Sequence, residues 1–393
     1  MNKKTWFGGL LFVAVVLLCG PRILLGFADQ EARVEERPAQ EHLSATELKD
    51  IPVPVIQVKG THYEVGYQIG TQLRGEILRD VAEMKKSPNW TKVRAEAELF
   101  LAYSKKYLPE YVTEIKGTAD AVGVELEDLF PALCEEIGDE NYRFTRGCSD
   151  LIASNDVTAD GTVLAGHNND TSPSTQESVV IVHYQVESEP EIVAVGYGGL
   201  GISVGYNSAG ISLTGNQVDS NDMRVGVPRL LLVRKILAAK TLGEAIDAAI
   251  LKERASNYNQ VITDSNGEIY SIEGSATDYA PLYSTDGYIV HTNHYVAPYM
   301  RSFEFDPQGI TSSIIRYNRG RRLLKKNLGR ITIEKMKEFL SDHVNYPGSI
   351  CRHGEHVKTT FSVIINLTTL RMHLARGNPC EVKFREYDLF TKH

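Results

Sequence analysis

The dipeptide Gly147-Cys148 holds the residues of this chain best suited to covalent chemistry. It lies in the run Tyr142-Arg143-Phe144-Thr145-Arg146-Gly147-Cys148-Ser149-Asp150, at the start of a strand-like segment. If the 147–148 bond breaks, Cys148 gains an α-amine that can act as general base for its own thiol, so one residue carries two catalytic roles. Such an amine has an ordinary pKa near ~8 and is partly neutral at working pH. The tetrahedral intermediate formed by thiol attack needs donors at its oxyanion, and an Asn amide donates without carrying charge. Two segments could supply these groups: Gly166-His167-Asn168-Asn169-Asp170 and Val290-His291-Thr292-Asn293-His294. Spacing alone leaves both open as turn-forming runs of Asn and Asp.

Three other motifs are weaker. Gly196-Tyr197-Gly198-Gly199-Leu200-Gly201 fits a dinucleotide fingerprint, and Gly201-Ile202-Ser203-Val204-Gly205 fits a nucleophile elbow. Both require a helix to start on the motif, whereas β-branched sequence and a turn follow here, so both read as turn and strand. Cys351-Arg352-His353-Gly354-Glu355-His356 places one Cys and two His within six residues. With no second cluster in sequence it reads as a polar loop, and no metal or cofactor is expected.

The elements that must position Cys148 change character along the chain. Residues 51–55 read as a short strand. Thr61 and Glu64 form a capping box that opens a helix to about residue 79. Further helices are expected over 92–107, 109–121 and 126–137. From Cys148 the texture becomes β: strands over 148–154 and 162–166 flank a turn at Asp160-Gly161, followed by strands over 179–185, 192–197, 202–206 and 211–214. Helices over 227–239 and 242–251 come next, then strands over 260–263, 269–273 and 287–291. Helices over 313–327 and 333–342 precede strands over 359–366, 370–375 and 382–387. Strands in two groups with helices between them indicate a layered α+β fold rather than alternating βαβ units. The run Arg319 to Lys326 reads as the wet face of an amphipathic helix.

Before this body stand Lys3 and Lys4, an apolar run over residues 6–18, and Gly26-Phe27-Ala28. That is the pattern of a signal peptide, with a retained signal anchor as the alternative; Leu18 is too large for lipid attachment at Cys19. The chain is therefore read as 1–28 leader, 29–50 flexible tether, and an exported body facing the periplasm or the outside. A membrane is involved only through the leader. The net charge of −8 disfavours a nucleic-acid partner. Cys134, Cys148, Cys351 and Cys380 are too sparse for a disulfide scaffold, and no bridge is assigned.

These residues together resemble a known family. Gly60-Thr61-His62-Tyr63-Glu64-Val65-Gly66-Tyr67-Gln68-Ile69-Gly70, Gly147-Cys148, Asp160-Gly161 and Gly166 to Asp170 occur in the order found in the isopenicillin N acyltransferase family. So do Gly205 to Gly210, Gly226-Val227-Pro228, Val290 to His294, and Asn345-Tyr346-Pro347-Gly348-Ser349-Ile350-Cys351-Arg352. That family consists of self-processing N-terminal-nucleophile hydrolases, also called acyl-CoA:6-aminopenicillanic acid acyltransferases. The resemblance implies an αββα sandwich cut between Gly147 and Cys148. A helical small chain, 51–147, would stay with a catalytic large chain, 148–393, as a heterodimer in one domain. It further implies Cys148 as nucleophile, Asn293 as oxyanion donor, Asp170 as the aspartate that orients the centre, and Arg352 as a substrate-binding residue.

An exported enzyme would not normally meet cytosolic acyl-CoA. The favoured expectation is therefore hydrolysis of a small amide, N-acyl or aminoacyl-amine, through a Cys148 acyl-enzyme. Acyl transfer from a thioester or amide donor to a small amine is the alternative. Two further readings are a papain-like peptidase using His291 or His294 and a non-enzymatic tethered binding protein.

Overall fold

The computed structural model describes residues 51–137 and 147–390. The leader and tether over 1–50, and the segment 142–146 before Gly147, lie outside the described residues.

The first segment is strand β1 (Val55–Gly60) and helices α1 (His62–Gln72), α2 (Arg74–Lys85), α3 (Trp90–Tyr107), α4 (Pro109–Val122) and α5 (Leu126–Leu129). Thr61 and Glu64 form the expected capping box. The expected strand at Ile51 begins instead at Val55. Pro52 and Pro54 have no N–H for a ladder, although the Pro54 carbonyl accepts from Ile181. The helix expected over 126–137 is a single α turn followed by a 3-10 turn, Phe130–Leu133, that contains Pro131. α1 and α4 cross at glycine: a Cβ on Gly66 would sit 1.7 Å from the Glu114 carbonyl oxygen, so any side chain there would force the helices apart.

The β-rich part runs β2 (Gly147–Ala153), β3 (Leu164–Thr171), β4 (Val179–Val186), β5 (Ile192–Tyr197), β6 (Gly201–Asn207) and β7 (Ile211–Asn216). After α6 (Arg229–Leu237) and α7 (Leu242–Ala249) come β8 (Asn259–Asp264), β9 (Ile269–Gly274), β10 (Tyr279–Tyr283) and β11 (Tyr288–His291). The chain ends with α8 (Thr311–Lys326), α9 (Ile333–Leu340), β12 (Lys358–Asn366), β13 (Arg371–Ala375) and β14 (Arg385–Tyr387). The sequence signal for β10 was missed; the strand carries Pro281 and sits at a sheet edge, where a missing N–H is tolerated. The glycine-rich run at 196–201 is the β5–β6 turn, and Ser203 lies inside β6, so neither helix-dependent motif is formed.

Two sheets result. One has the order β1-β4-β5-β6-β7-β8-β9-β10 and the other β11-β2-β3-β12-β13-β14. Strand residues alternate between faces, and the cores follow that period. Val180, Val182 and Ile192 of the first sheet pack under α1–α7, with Val65, Phe100, Leu129 and Leu232. Ile181, Val193 and Val204 face Ile152, Ala165, Phe361 and Val363 of the second sheet. Leu151, Leu164 and Ile364, on the far side of that second sheet, meet Leu324 of α8 and Met336 and Phe339 of α9. The order is helix, sheet, sheet, helix, as the α+β αββα expectation requires. Among the described residues no helix is long and apolar enough to cross a membrane.

Candidate active site

Cys148 is the second residue of β2, and β3 returns antiparallel beside it. The register pairs Gly147 with Asp170, Cys148 with Asn169, Ser149 with Asn168 and Asp150 with His167. Cys148 and Asp150 share the face of Ile152, which points between the sheets, as do His167 and Asn169 with Ala165. Four polar side chains are thus held on one inner face by strand pairing alone. The strand expected to end at Gly166 continues to Thr171, so the 166–170 run is strand and not turn.

His167 is fully buried, and its Nδ1 lies 2.7 Å from Asp150 Oδ1. Burial alone would push the imidazole pKa down. Asp150 and a hydrogen bond with the Cys148 thiol more than reverse this, raising it to about 10. His167 Nε2 is 3.4 Å from Asn169 Nδ2, and Asn169 is oriented by Tyr197, whose hydroxyl donates to Asn169 Oδ1 at 2.8 Å. A thiol, an imidazole and a carboxylate therefore stand in series in the uncut chain.

Asn293 follows β11. Its Oδ1 accepts from the Cys148 backbone N at 2.9 Å and from Arg316 Nη2 at 2.8 Å. A guanidinium has only donors, so Arg316 fixes which amide atom faces Cys148. Asn293 Nδ2 donates to the Gln217 carbonyl at 2.9 Å. In this state Asn293 holds the nitrogen that processing would free; its NH₂ must leave Gln217 before it can serve an oxyanion. The turn is braced from both sides. Asn293 N donates to Ser313 Oγ (2.7 Å), and His291 contacts Glu273 Oε1 (2.7 Å) and Asn216 Oδ1 (3.0 Å). His294 is lowered to about 4 by burial and then by His291, so it stays neutral; Ser313 Oγ is its neighbour. Neither His291 nor His294 is the imidazole beside Cys148.

Arg316, on the buried side of α8, also donates to the Cys148 carbonyl and to Ser149 Oγ at 2.9 Å. Burial lowers its pKa to about 10, against the pull of Asp170. Asp170 is fully buried on the opposite side of β3 from His167. Its Oδ1 accepts from Thr359 Oγ1 at 2.8 Å, and its Oδ2 has no hydrogen-bond partner among the described residues. Burial pushes the Asp170 pKa up, while Arg352 and then Arg316 oppose that shift. A Cβ on Gly147 would come 2.6 Å from Arg352 Nη1 and 3.3 Å from Asp170 Oδ2. Asp170 and Arg352 thus flank the 147–148 bond, while His167 and Asp150 flank the thiol.

The four positions Cys148, Asp170, Asn293 and Arg352, from distant parts of the chain, meet around one bond. Sequence reasoning missed the Asp150–His167 pair and Arg316. Alternation of Cys148 with Asp150 was a usable signal, but the hairpin register was not readable. A cavity of about 330 Å³, lined by His294, Tyr295, Glu304, Ile314 and Tyr317, opens beside the residue that follows Asn293. Among the described residues, the group able to hold a metal lies elsewhere, around Cys351 and Cys380.

A sequence model of the family "acyl-coenzyme A:6-aminopenicillanic acid acyl-transferase" matches residues 157–381, which include Asp170, Asn293 and Arg352 and start just after Cys148. The chain is 27% identical over 322 residues to the acyl-coenzyme A:6-aminopenicillanic-acid-acyltransferase 40 kDa form of Emericella nidulans, covering 79% of this chain and 88% of that protein. It is 27% identical over 255 residues to a β-alanyl-dopamine/carcinine hydrolase of Drosophila melanogaster. That match covers 56% of this chain and 64% of the relative, under two thirds of its length. Among solved structures, the Caenorhabditis elegans N-acylethanolamine-hydrolyzing acid amidase ortholog aligns with TM-score 0.40 at 17% identity, over 56% of this chain and 93% of its own.

Proposed function

Because the chain belongs to the acyl-coenzyme A:6-aminopenicillanic acid acyl-transferase family, we propose that it is an exported, self-processing cysteine amidohydrolase whose nucleophile is Cys148. The observation that carries the reading is the grip on the Cys148 nitrogen by Asn293 Oδ1, itself fixed by the buried Arg316. A nitrogen held in this way becomes, after cleavage, an amine already positioned beside its own thiol.

In processing His167, kept protonated at neutral pH by its pKa of about 10, holds the proton while Cys148 Sγ attacks the Gly147 carbonyl. The C–N bond to Cys148 breaks, the nitrogen takes the proton, and Gly147 is left as a thioester on Sγ. Water then hydrolyses the thioester, leaving a Gly147 carboxylate and a free Cys148 thiol and amine. His167 supplies an imidazolium, held charged by Asp150 and by the sulfur, that can pass its proton to the leaving nitrogen. In turnover the α-amine takes that role. Sγ attacks a small amide, the leaving amine departs with a proton, and water or a second amine releases the acyl group. The leader expected at 1–28 favours water, since an exported protein does not meet acyl-CoA.

The Cys148–His167–Asp150 series favours one rival, a cysteine hydrolase that works uncut. Incubation of purified protein with N-acyl and aminoacyl amides, and separately with acyl-CoA plus an amine, tests the chemistry. Amide cleavage without thioester consumption supports the proposal. Amide synthesis from acyl-CoA with no amide cleavage overturns the preference for hydrolysis.

A further inference from the structure

Behind Arg352 four side chains from three parts of the chain converge on one spot. His343 follows α9, Cys351 and His353 flank Arg352, and Cys380 lies after β13. Cys351 Sγ and Cys380 Sγ are 3.5 Å apart. His353 Nε2 is 3.3 Å from each sulfur and 3.2 Å from His343 Nε2. A single imidazole nitrogen carries one hydrogen or one lone pair, so it cannot make three such contacts as hydrogen bonds. A cation at their centre satisfies all four atoms at once.

From this convergence we propose that His343, Cys351, His353 and Cys380 form a structural Zn²⁺ site. Zinc takes Cys sulfur at about 2.3 Å and His nitrogen at about 2.0–2.1 Å in a tetrahedron, whose edges are then roughly 3.8 Å for S···S, 3.5 Å for S···N and 3.3 Å for N···N. Four of the six observed separations, 3.5, 3.3, 3.3 and 3.2 Å, follow that pattern, and all four ligand atoms lie within 4.8 Å of one another. Two thiolates with two imidazoles in a tetrahedral set select zinc over the oxygen-seeking cations. Four protein ligands leave no open position, so the site is structural and not catalytic. The surroundings fit metal-bound thiolate: Asn378 Nδ2 donates to Cys351 Sγ at 3.5 Å, and a Glu381 carboxylate oxygen is 3.8 Å from His353 Nδ1. Binding replaces two thiol protons with one Zn²⁺ and involves no oxidation.

The consequence falls on Arg352. Its chain neighbours on both sides are ligands, its N–H donates to Thr359 Oγ1 (3.0 Å), and its carbonyl accepts from Asn378 Nδ2 (2.6 Å). Thr359 in turn donates to Asp170. The zinc therefore fastens the loop that presses Arg352 against Gly147. The site also keeps two cysteines as thiolates in an oxidising compartment, where they would otherwise pair with each other. Of the six-residue run read as a polar loop, Cys351 and His353 join the site and His356 does not; the missing ligands come from His343 and Cys380.

Elemental analysis of the full chain purified without chelator tests this. One zinc per chain is expected, retained in Cys148→Ala and at least tenfold depleted in Cys380→Ser and in His343→Ala. Wild-type protein stripped and reloaded with Co²⁺ should give intense tetrahedral d–d bands and a thiolate-to-cobalt charge-transfer band. If either variant fails to fold, that wild-type spectrum decides. Metal-free protein that is lighter by two hydrogens, with Cys351 linked to Cys380, overturns the proposal. So does metal-free protein in which both thiols are alkylated at once, or metal content indifferent to both variants.

Discussion

Replacing Asp150 with Asn tests the role given to His167 most sharply, because it removes a charge and little else. The amide oxygen can still accept from His167 Nδ1, which now lies 2.7 Å from the carboxylate, and the volume between the sheets is unchanged. What is lost is the Coulombic support of the imidazolium. The rise from the ordinary value to about 10 occurs against burial, and Asp150 is its leading cause. At about 1.4 kcal/mol per pH unit, this corresponds to roughly 5 kcal/mol of net preference for the protonated ring. Without the carboxylate, burial dominates and the ring falls below its usual proton affinity. His167 in Asp150→Asn is then neutral at pH 7, with no charge to pair with the sulfur and no proton to pass to the leaving nitrogen. General acid–base catalysis contributes about 10²–10⁴-fold, so conversion of uncut to cut chain should slow by at least about 10²-fold. The assay is a time course of chain cleavage after refolding of the full-length protein, read by intact mass, with thermal unfolding as the control for folding. Stability carries a second signature. A raised His pKa adds stability that is full below about 6.5 and is lost as pH climbs through about 10. The wild-type melting temperature should decline across that window, and the variant should flatten the decline. Cleavage of Asp150→Asn at the wild-type rate, with an unchanged pH profile, would refute the assignment.

Three other perturbations have defined outcomes. Asn293→Ala removes the acceptor that positions the Cys148 nitrogen, and kcat for amide hydrolysis should fall by about 10²-fold while far-UV circular dichroism is unchanged. In Gly147→Val the Cβ would start 2.6 Å from Arg352 Nη1, so uncut chain should accumulate on denaturing gels. Far from the site, Arg234→Ala leaves Glu114 and Glu189 buried without their shared guanidinium, now 3.0 and 2.8 Å away. Chemical denaturation should show a loss of about 3–5 kcal/mol without any change in the fraction processed.

The legible part of this protein was local. Capping at Thr61, alternation in β4–β7, and the glycine turns all followed from nearest-neighbour physics. Register was not legible. A tight hairpin at Asp160-Gly161 would set Cys148 opposite Pro173, whereas the strands separate at Ala153 and Leu164 and Cys148 faces Asn169. That difference brings His167 opposite Asp150, and no local rule states the width of the loop between. Helix α8 hid Arg316 for a related reason. Its later positions, Arg321, Arg322, Lys325 and Lys326, are the expected wet face, but Arg316 lies on the stripe with Gly320 and Leu324 that turns inward. The quartet around Cys351 was invisible because its remaining ligands are ten residues before and 27 residues after His353.

The central claim concerns one bond, and N-terminal sequencing of the purified protein addresses it directly. The account predicts two chains in wild type, the larger beginning Cys148-Ser149-Asp150, and a single uncut chain in Cys148→Ala. One uncut chain in active wild-type protein would contradict it, as would cleavage before residue 148 in both.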